Sequence, residues 1–155
     1  MSQLHKFLFE GLPVRGMLVQ LTDIWQEILK RRASNQETGA YPEPVRHLLG
    51  EMTAAAVLMQ SNIKFNGALV MQIFGDGPLK LAVVEVQPDL SVRSTAKVVG
   101  NLDGAQTLSA MVNVNNAGRC AITLDPLTKL PGQQPYQGVV PLFDDHRNKI
   151  DRFSD

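Results

Sequence analysis

Apolar and polar positions alternate with a period of two through the stretch from Phe65 to Val99. Leu69, Met71 and Ile73 fall on one side of a pleated strand, and Ala68, Val70 and Gln72 on the other. Gly75-Asp76-Gly77-Pro78 ends this run. Glycine reaches positive φ without a Cβ clash and proline withholds an N–H, so the tetrad predicts a tight reversal. Leu79 to Val86 is apolar again. After Gln87-Pro88-Asp89, the positions Val92, Ser94, Ala96 and Val98 alternate with Arg93, Thr95, Lys97 and Val99, the pattern of a strand with one wet face. The stretch therefore predicts a three-stranded antiparallel meander, and the rest of the chain is read around it.

On its N-terminal side, Leu4 to Phe9 and Val14 to Leu21 predict a hairpin turning at Glu10-Gly11-Leu12-Pro13. Thr22 is a candidate N-cap for a helix running to about Arg32, with Trp25, Ile28 and Leu29 as its apolar stripe. A polar loop from Ala33 to Glu43 follows. A second helix is predicted from Pro44 to Ile63, with Val45, Leu48, Leu49, Met52, Ala56, Met59 and Ile63 at spacings of three and four on one face. Beyond Thr53 this helix is apolar nearly all round, so its C-terminal half is either buried on several sides or presents a sticky face, and buried core is the favoured reading. After the meander, Asp103 to Ala110 reads as short helix or loop. Met111 to Val114 and Arg119 to Leu124 predict another hairpin about Asn115-Asn116-Ala117-Gly118. Tyr136 to Val140 predicts a last strand, stopped by Pro141. The expected class is α+β, an antiparallel sheet core of meander and hairpins packed against two main helices.

Composition narrows the function. The 155 residues predict one domain with a real core. Fifteen basic residues balance fifteen acidic ones, and no basic stripe with interleaved aromatics exists, which argues against nucleic acid. No apolar run approaches the ~20 residues of a membrane span, and Glu10 interrupts the only candidate for a leader segment. The expected compartment is the cytoplasm. A lone cysteine, Cys120, makes neither an intramolecular disulfide nor a metal site unaided. His5, His47 and His146 are scattered. A thiolate pair between one of them and Cys120 is weighed against a small hydrophobe on the Cys120, Ile122, Leu124 strand face, and the bland reading is favoured. Gly75-Asp76-Gly77 lacks what a phosphate cradle needs, since Pro78 removes a donor and a strand follows. Glu10, Glu51, Glu85, Asp76 and Asp103 sit on separate elements. The expectation is no catalytic, cofactor-binding or metal residue, and no enzyme.

Three segments carry a resemblance: LHKFLFEGLPVRGMLVQL, YPEPVRHLLGEMTAAAVLMQSNIKFNGALVMQIFGDGPLKLAVV and YQGVVPL. In order and spacing the chain resembles the heat shock protein 33 family of redox-regulated bacterial holdases. The resemblance rests on Arg15-Gly16, Tyr41-Pro42-x-Pro44, Gly75-Asp76-Gly77-Pro78 and Tyr136-Gln137-Gly138-Val139-Val140. It implies an ATP-independent chaperone that binds unfolded client proteins under oxidative and heat stress, typically as a dimer. It also implies a C-terminal domain whose C-x-C and C-x-x-C pairs hold zinc when reduced and form disulfides when oxidised. This chain has neither pair, and Cys120 matches none of those ligands. The expected organisation is an incomplete chaperone core over residues 1–143 and a polar, nearly core-free tail over 144–155, without the zinc switch. Two alternatives stay open: a self-associating structural domain, and a small-ligand enzyme on the same scaffold. Client-contact residues are not assigned.

Overall fold

The computed structural model describes residues 1–155. Its first element pair is the N-terminal hairpin, β1 (Gln3–Leu8) and β2 (Arg15–Gln20), a two-stranded antiparallel sheet standing apart from the main one. Gly11 at the turn takes a positive φ of 77°, the conformation its missing Cβ allows. Gly16 serves a different purpose. It lies opposite Phe7, whose ring covers it so closely that any Cβ there would enter the ring.

Helices α1 (Asp23–Ala33) and α2 (Glu43–Asn62) follow. No α1 residue is fully buried; Trp25 and Leu29 pack on the core from its edge, with the Trp25 ring against Gly50 of α2. Arg32 ties the loop between the helices to the body. Its guanidinium lies 4.3 Å from the centre of the Tyr41 ring, donates to the Gly39 carbonyl at 3.2 Å and to the Ala96 carbonyl at 3.3 Å. α2 is the central element. Pro44 stands in its first turn, where a missing N–H costs nothing.

The main sheet has five strands in the order β5-β4-β3-β6-β7, all antiparallel: β3 (Gly67–Phe74), β4 (Leu79–Val86), β5 (Val92–Val98), β6 (Arg119–Pro126) and β7 (Tyr136–Pro141). The meander expected between Phe65 and Val99 is β3 to β5. Leu69, Met71 and Ile73 point into the core with Ala82, Val84 and Val86 beside them, and α2 lies mainly against β2, β3, β4 and β5. The α+β class with two main helices is therefore what the chain adopts. No helix is long and apolar enough to cross a membrane.

Four expectations are corrected. First, Met111 and Val112 are helical, in the short α3 (Leu108–Val112), and do not pair with β6. The Thr107 side chain caps this helix by accepting from the Ala110 N–H at 3.2 Å. The N–H groups just beyond it, which a strand would need for its ladder, are taken by Asp76 instead. β6 finds its partners in β3 and β7. Second, neither Gly75 nor Gly77 has positive φ. They are required by crowding: a Cβ on Gly75 would collide with the Leu79 carbonyl oxygen, and one on Gly77 would lie 2.7 Å from the Met111 carbonyl oxygen. Third, the buried face of α2 rotates along its length, so that Val57 and Gln60 turn inward while Met59 and Ile63 are exposed. Gln60 Nε2 donates to the Gly67 and Val86 carbonyls at 2.7 and 3.2 Å, fixing that turn of helix against the ends of β3 and β4. Fourth, residues 144–155 dock. Ile150 donates its N–H to the Leu142 carbonyl at 3.1 Å, Leu108 donates to the Asp151 carbonyl at 2.9 Å, and Ile150 and Phe153 pack on the core.

Candidate functional site

The residues that sequence reasoning weighed for chemistry remain apart. His5 Nε2 contacts Gln3 on the hairpin at 2.9 Å. His47 lies 3.9 Å from Glu51 one turn along α2, both exposed. His146 donates its backbone N–H to Asp144 in the C-terminal turn. Cys120 sits on β6 between Ile73 of β3 and Val140 of β7. It is half-buried, and burial raises its thiol pKa above the ordinary value. A raised pKa leaves less thiolate at neutral pH. Alkylation of Cys120 by iodoacetamide at pH 7.5 should accordingly run several-fold slower than that of a free cysteine peptide, and acceleration to the peptide's rate on denaturation would confirm burial as the cause.

Asp76 is the polar residue that the sequence undervalued. It sits in the β3–β4 turn, and its carboxylate accepts the backbone N–H groups of Val114, Asn115 and Ala117 at 2.7, 2.9 and 2.8 Å. Its own N–H donates to the Val112 carbonyl at 3.1 Å. Desolvation pushes its pKa up, but the three donors together prevail and hold it below the ordinary carboxylate value. The arrangement clamps the segment after α3 to the meander. Every donor it holds belongs to the chain's own backbone, so it is a structural joint.

A groove of about 430 Å³ runs between the N-terminal half of α2, α3 and the C-terminal segment. Glu43, His47, Glu51, Asp151 and Arg152 line it, but the Asp151 carboxylate is engaged by the Ser109 hydroxyl. No three His, Cys, Asp or Glu side chains converge closely enough to hold a metal ion, so the chain's own residues do not fit the zinc that the resemblance implies for a further domain.

What stands out is exposed apolar surface in two places. The tip of the N-terminal hairpin presents Phe7, Leu8, Phe9, Leu12 and Val14, with Leu8 80% and Leu12 62% exposed. Phe7 and Phe9 meet edge to face, with centroids 5.8 Å apart. The second place lies on the same face of the main sheet as the core residues Leu69, Met71 and Ile73, but over β6 and β7, beyond the strands that α2 mainly packs on. There the half-buried Cys120, Ile122 and Leu124 of β6 continue into Val140 and Tyr136 of β7, with Leu127 and Leu130 exposed in the loop between the two strands. Large contiguous apolar patches are uncommon on monomers that bind nothing. Sequence patterning missed the sheet patch because a residue that alternates correctly along a strand looks inward-facing whether or not anything lies above it.

A family model described as Hsp33 protein matches residues 2–151. The 33 kDa chaperonin of Chromobacterium violaceum is 48% identical over 144 residues, covering 93% of this chain and 45% of that protein. The 33 kDa chaperonin of Methylobacillus flagellatus is 46% identical over 142 residues, covering 91% of this chain and 44% of that one. The chain thus spans less than half the length of these relatives. In fold it is similar to the crystal structure of the 33 kDa chaperonin of Thermotoga maritima, with a TM-score of 0.63 at 20% identity over 90% of this chain and 45% of that one. By the extent of the family match, the chain belongs to the Hsp33 family.

Proposed function

We propose that this chain is an ATP-independent holdase, capturing unfolding proteins on exposed apolar surface in the cytoplasm under heat and oxidative stress, without a redox switch of its own. The observation that carries the reading is the family match over residues 2–151, to relatives that bear a chaperonin's name and not an enzyme's. The physical support is the pair of apolar surfaces, which offer area to an unfolded chain without requiring a pocket. Capture of this kind uses the same non-directional burial of apolar area that drives folding, at about 25 cal/mol per Å². It needs no catalytic group. Zinc belongs, in this reading, to a cysteine-rich region outside these 155 residues, because thiolate ligation couples metal release to disulfide formation and this chain has one cysteine.

Light scattering of a thermally unfolding client tests the proposal. The chain should suppress aggregation weakly, and equally in reductant and in peroxide. Serine at Leu8, Phe9 and Leu12 together should reduce that suppression while far-UV circular dichroism stays unchanged. A several-fold response to oxidant would place a switch inside this chain, and no suppression in either condition would remove the holdase reading.

A further inference from the structure

Residues 1–40 place no side chain in the buried core: each is exposed or half-buried, and Tyr41 is the first buried residue of the chain. They nonetheless cohere among themselves. β1 and β2 share an unbroken antiparallel ladder, and the Ile24 N–H at the start of α1 donates to the Ser2 hydroxyl at 3.4 Å, which ties the helix to the hairpin. Residues 1–33 thus form one arm, laid on the rest of the molecule through the half-buried Val19, Leu21, Trp25 and Leu29. Its polar contacts with that body are few. Past the chain's own continuation at Ser34 and Asn35, they are those of Arg32, to the Gly39 and Ala96 carbonyls and the Tyr41 ring, and a weak one from the Ser61 hydroxyl to the Met17 sulfur at 3.9 Å.

We propose that this arm is a hinged flap, latched by Arg32, that lifts from α2 as a rigid unit about the loop after α1. The seam beneath it is smooth. Helices are held in place by side chains that interlock across the contact, and here the Trp25 ring lies on Gly50, which has none to offer. The ring also has room to move, since a hollow of about 400 Å³ opens beside it, lined by Arg46, His47, Glu51 and Ala54 of α2. The pivot is soft: Gly39 takes a positive φ of 65°, with nothing within 4 Å of a Cβ position. The specific contacts gather at one end of α1, because Arg32 stands in its last turn while its first turn has no side-chain cap. One guanidinium therefore holds the arm. Segments with so few buried contacts open at a lower free energy than the whole fold. When lifted, the arm adds Val19, Leu21, Trp25 and Leu29 to the apolar surface the chain presents.

The flap goes beyond the holdase reading, and its test uses no client. Double electron–electron resonance on the full chain measures it, with spin labels at exposed positions in a Cys120→Ala background. Lys6→Cys on β1 with Lys97→Cys on β5 should give a main distance and a second, longer one. Lys6→Cys with Gln26→Cys, both on the arm, and Lys97→Cys with Gln137→Cys, both in the main sheet, should each give one narrow distance. Arg32→Met keeps the aliphatic stem and removes the latch, so it should raise the longer population of the first pair about fivefold or more and leave the other two pairs unchanged. Trp25, the only tryptophan, gives a readout free of labels: Arg32→Met should roughly double its quenching by acrylamide while far-UV circular dichroism stays the same. A single narrow distance from arm to sheet, in the wild type and in Arg32→Met alike, overturns the proposal. So does unchanged quenching of Trp25 in Arg32→Met, or broadening of all three pairs together, which would mean that the arm melts with the body instead of lifting from it.

Discussion

Met52→Asp should lower the free energy of unfolding by about 3–5 kcal/mol, on the scale set by an uncompensated buried charge. Met52 is completely buried at the middle of α2, inside the cluster that joins the helix to β3, β4 and β5. The ion pairs of the molecule all lie on its surface, so no cation is at hand to receive a carboxylate there. Domains of this size commonly have only 5–15 kcal/mol in total. The variant should therefore unfold at a much lower urea concentration, or fail to fold at growth temperature. Met52→Leu, which keeps the volume, should cost less than about 1.5 kcal/mol. Urea titration followed by far-UV circular dichroism separates the two, and an unchanged midpoint for the aspartate variant would contradict the packing of α2 against the meander.

The contrast between what the sequence revealed and what it concealed follows from the range of the interactions involved. The meander was legible because period-two alternation and its turn residues are local signals, and α2 was legible for the same reason at period 3.6. The strand expected at 111–114 failed because a non-local interaction decided it. Asp76, more than thirty residues away, takes the N–H groups of 114, 115 and 117, and Thr107 starts a helix that consumes Met111 and Val112. The rotation of the buried face of α2 was concealed likewise, since Gln60 is buried by carbonyls of Gly67 and Val86 that no helical wheel contains. The C-terminal residues looked core-free by composition, yet Ile150 and Phe153 suffice to seat them once Leu142 and Leu108 offer backbone partners.

What was legible of function in the sequence was the family resemblance. His5, His47 and His146 each contact a residue within four positions, whereas Cys120 lies between Ile73 and Val140 of the neighbouring strands. The sheet patch could not be read from alternation alone. Whether Ile122, Leu124 and Tyr136 face a helix or solvent depends on where α2 lies across the sheet, and α2 lies over the other strands. Arg32 shows the same limit from the polar side. Its ring contact with Tyr41 and its bonds to Gly39 and Ala96 join three elements, and no spacing rule connects those positions.

Asp76→Ala should lower stability by about 1–2 kcal/mol, with an acid signature that distinguishes it from a packing defect. Hydrogen bonds to a charged acceptor are stronger than neutral ones, and three converge here; the figure stays at the low end because the freed N–H groups are close enough to solvent to be hydrated. Since the Asp76 pKa is lowered in the folded state, the native protein binds fewer protons than the unfolded chain as pH falls through the carboxylate range. Its contribution is thus fully present above the unfolded pKa of about 3.9 and is lost as pH drops through the lower folded value. The wild type and Asp76→Ala should differ most above about pH 4 and converge as pH falls below the lowered folded value. Asp89 and Asp144 are also lowered, through their own side-chain and backbone hydrogen bonds, so the variant keeps part of the acid slope. Asp76→Asn should fall between the two, keeping one acceptor oxygen without the charge. Thermal melts from pH 2 to 7 read the window. Hydrogen exchange supplies the local signature: protection should fall first at the amides of Val114, Asn115 and Ala117, and a uniform loss across the sheet would show that Asp76 does not act as the clamp on the segment after α3.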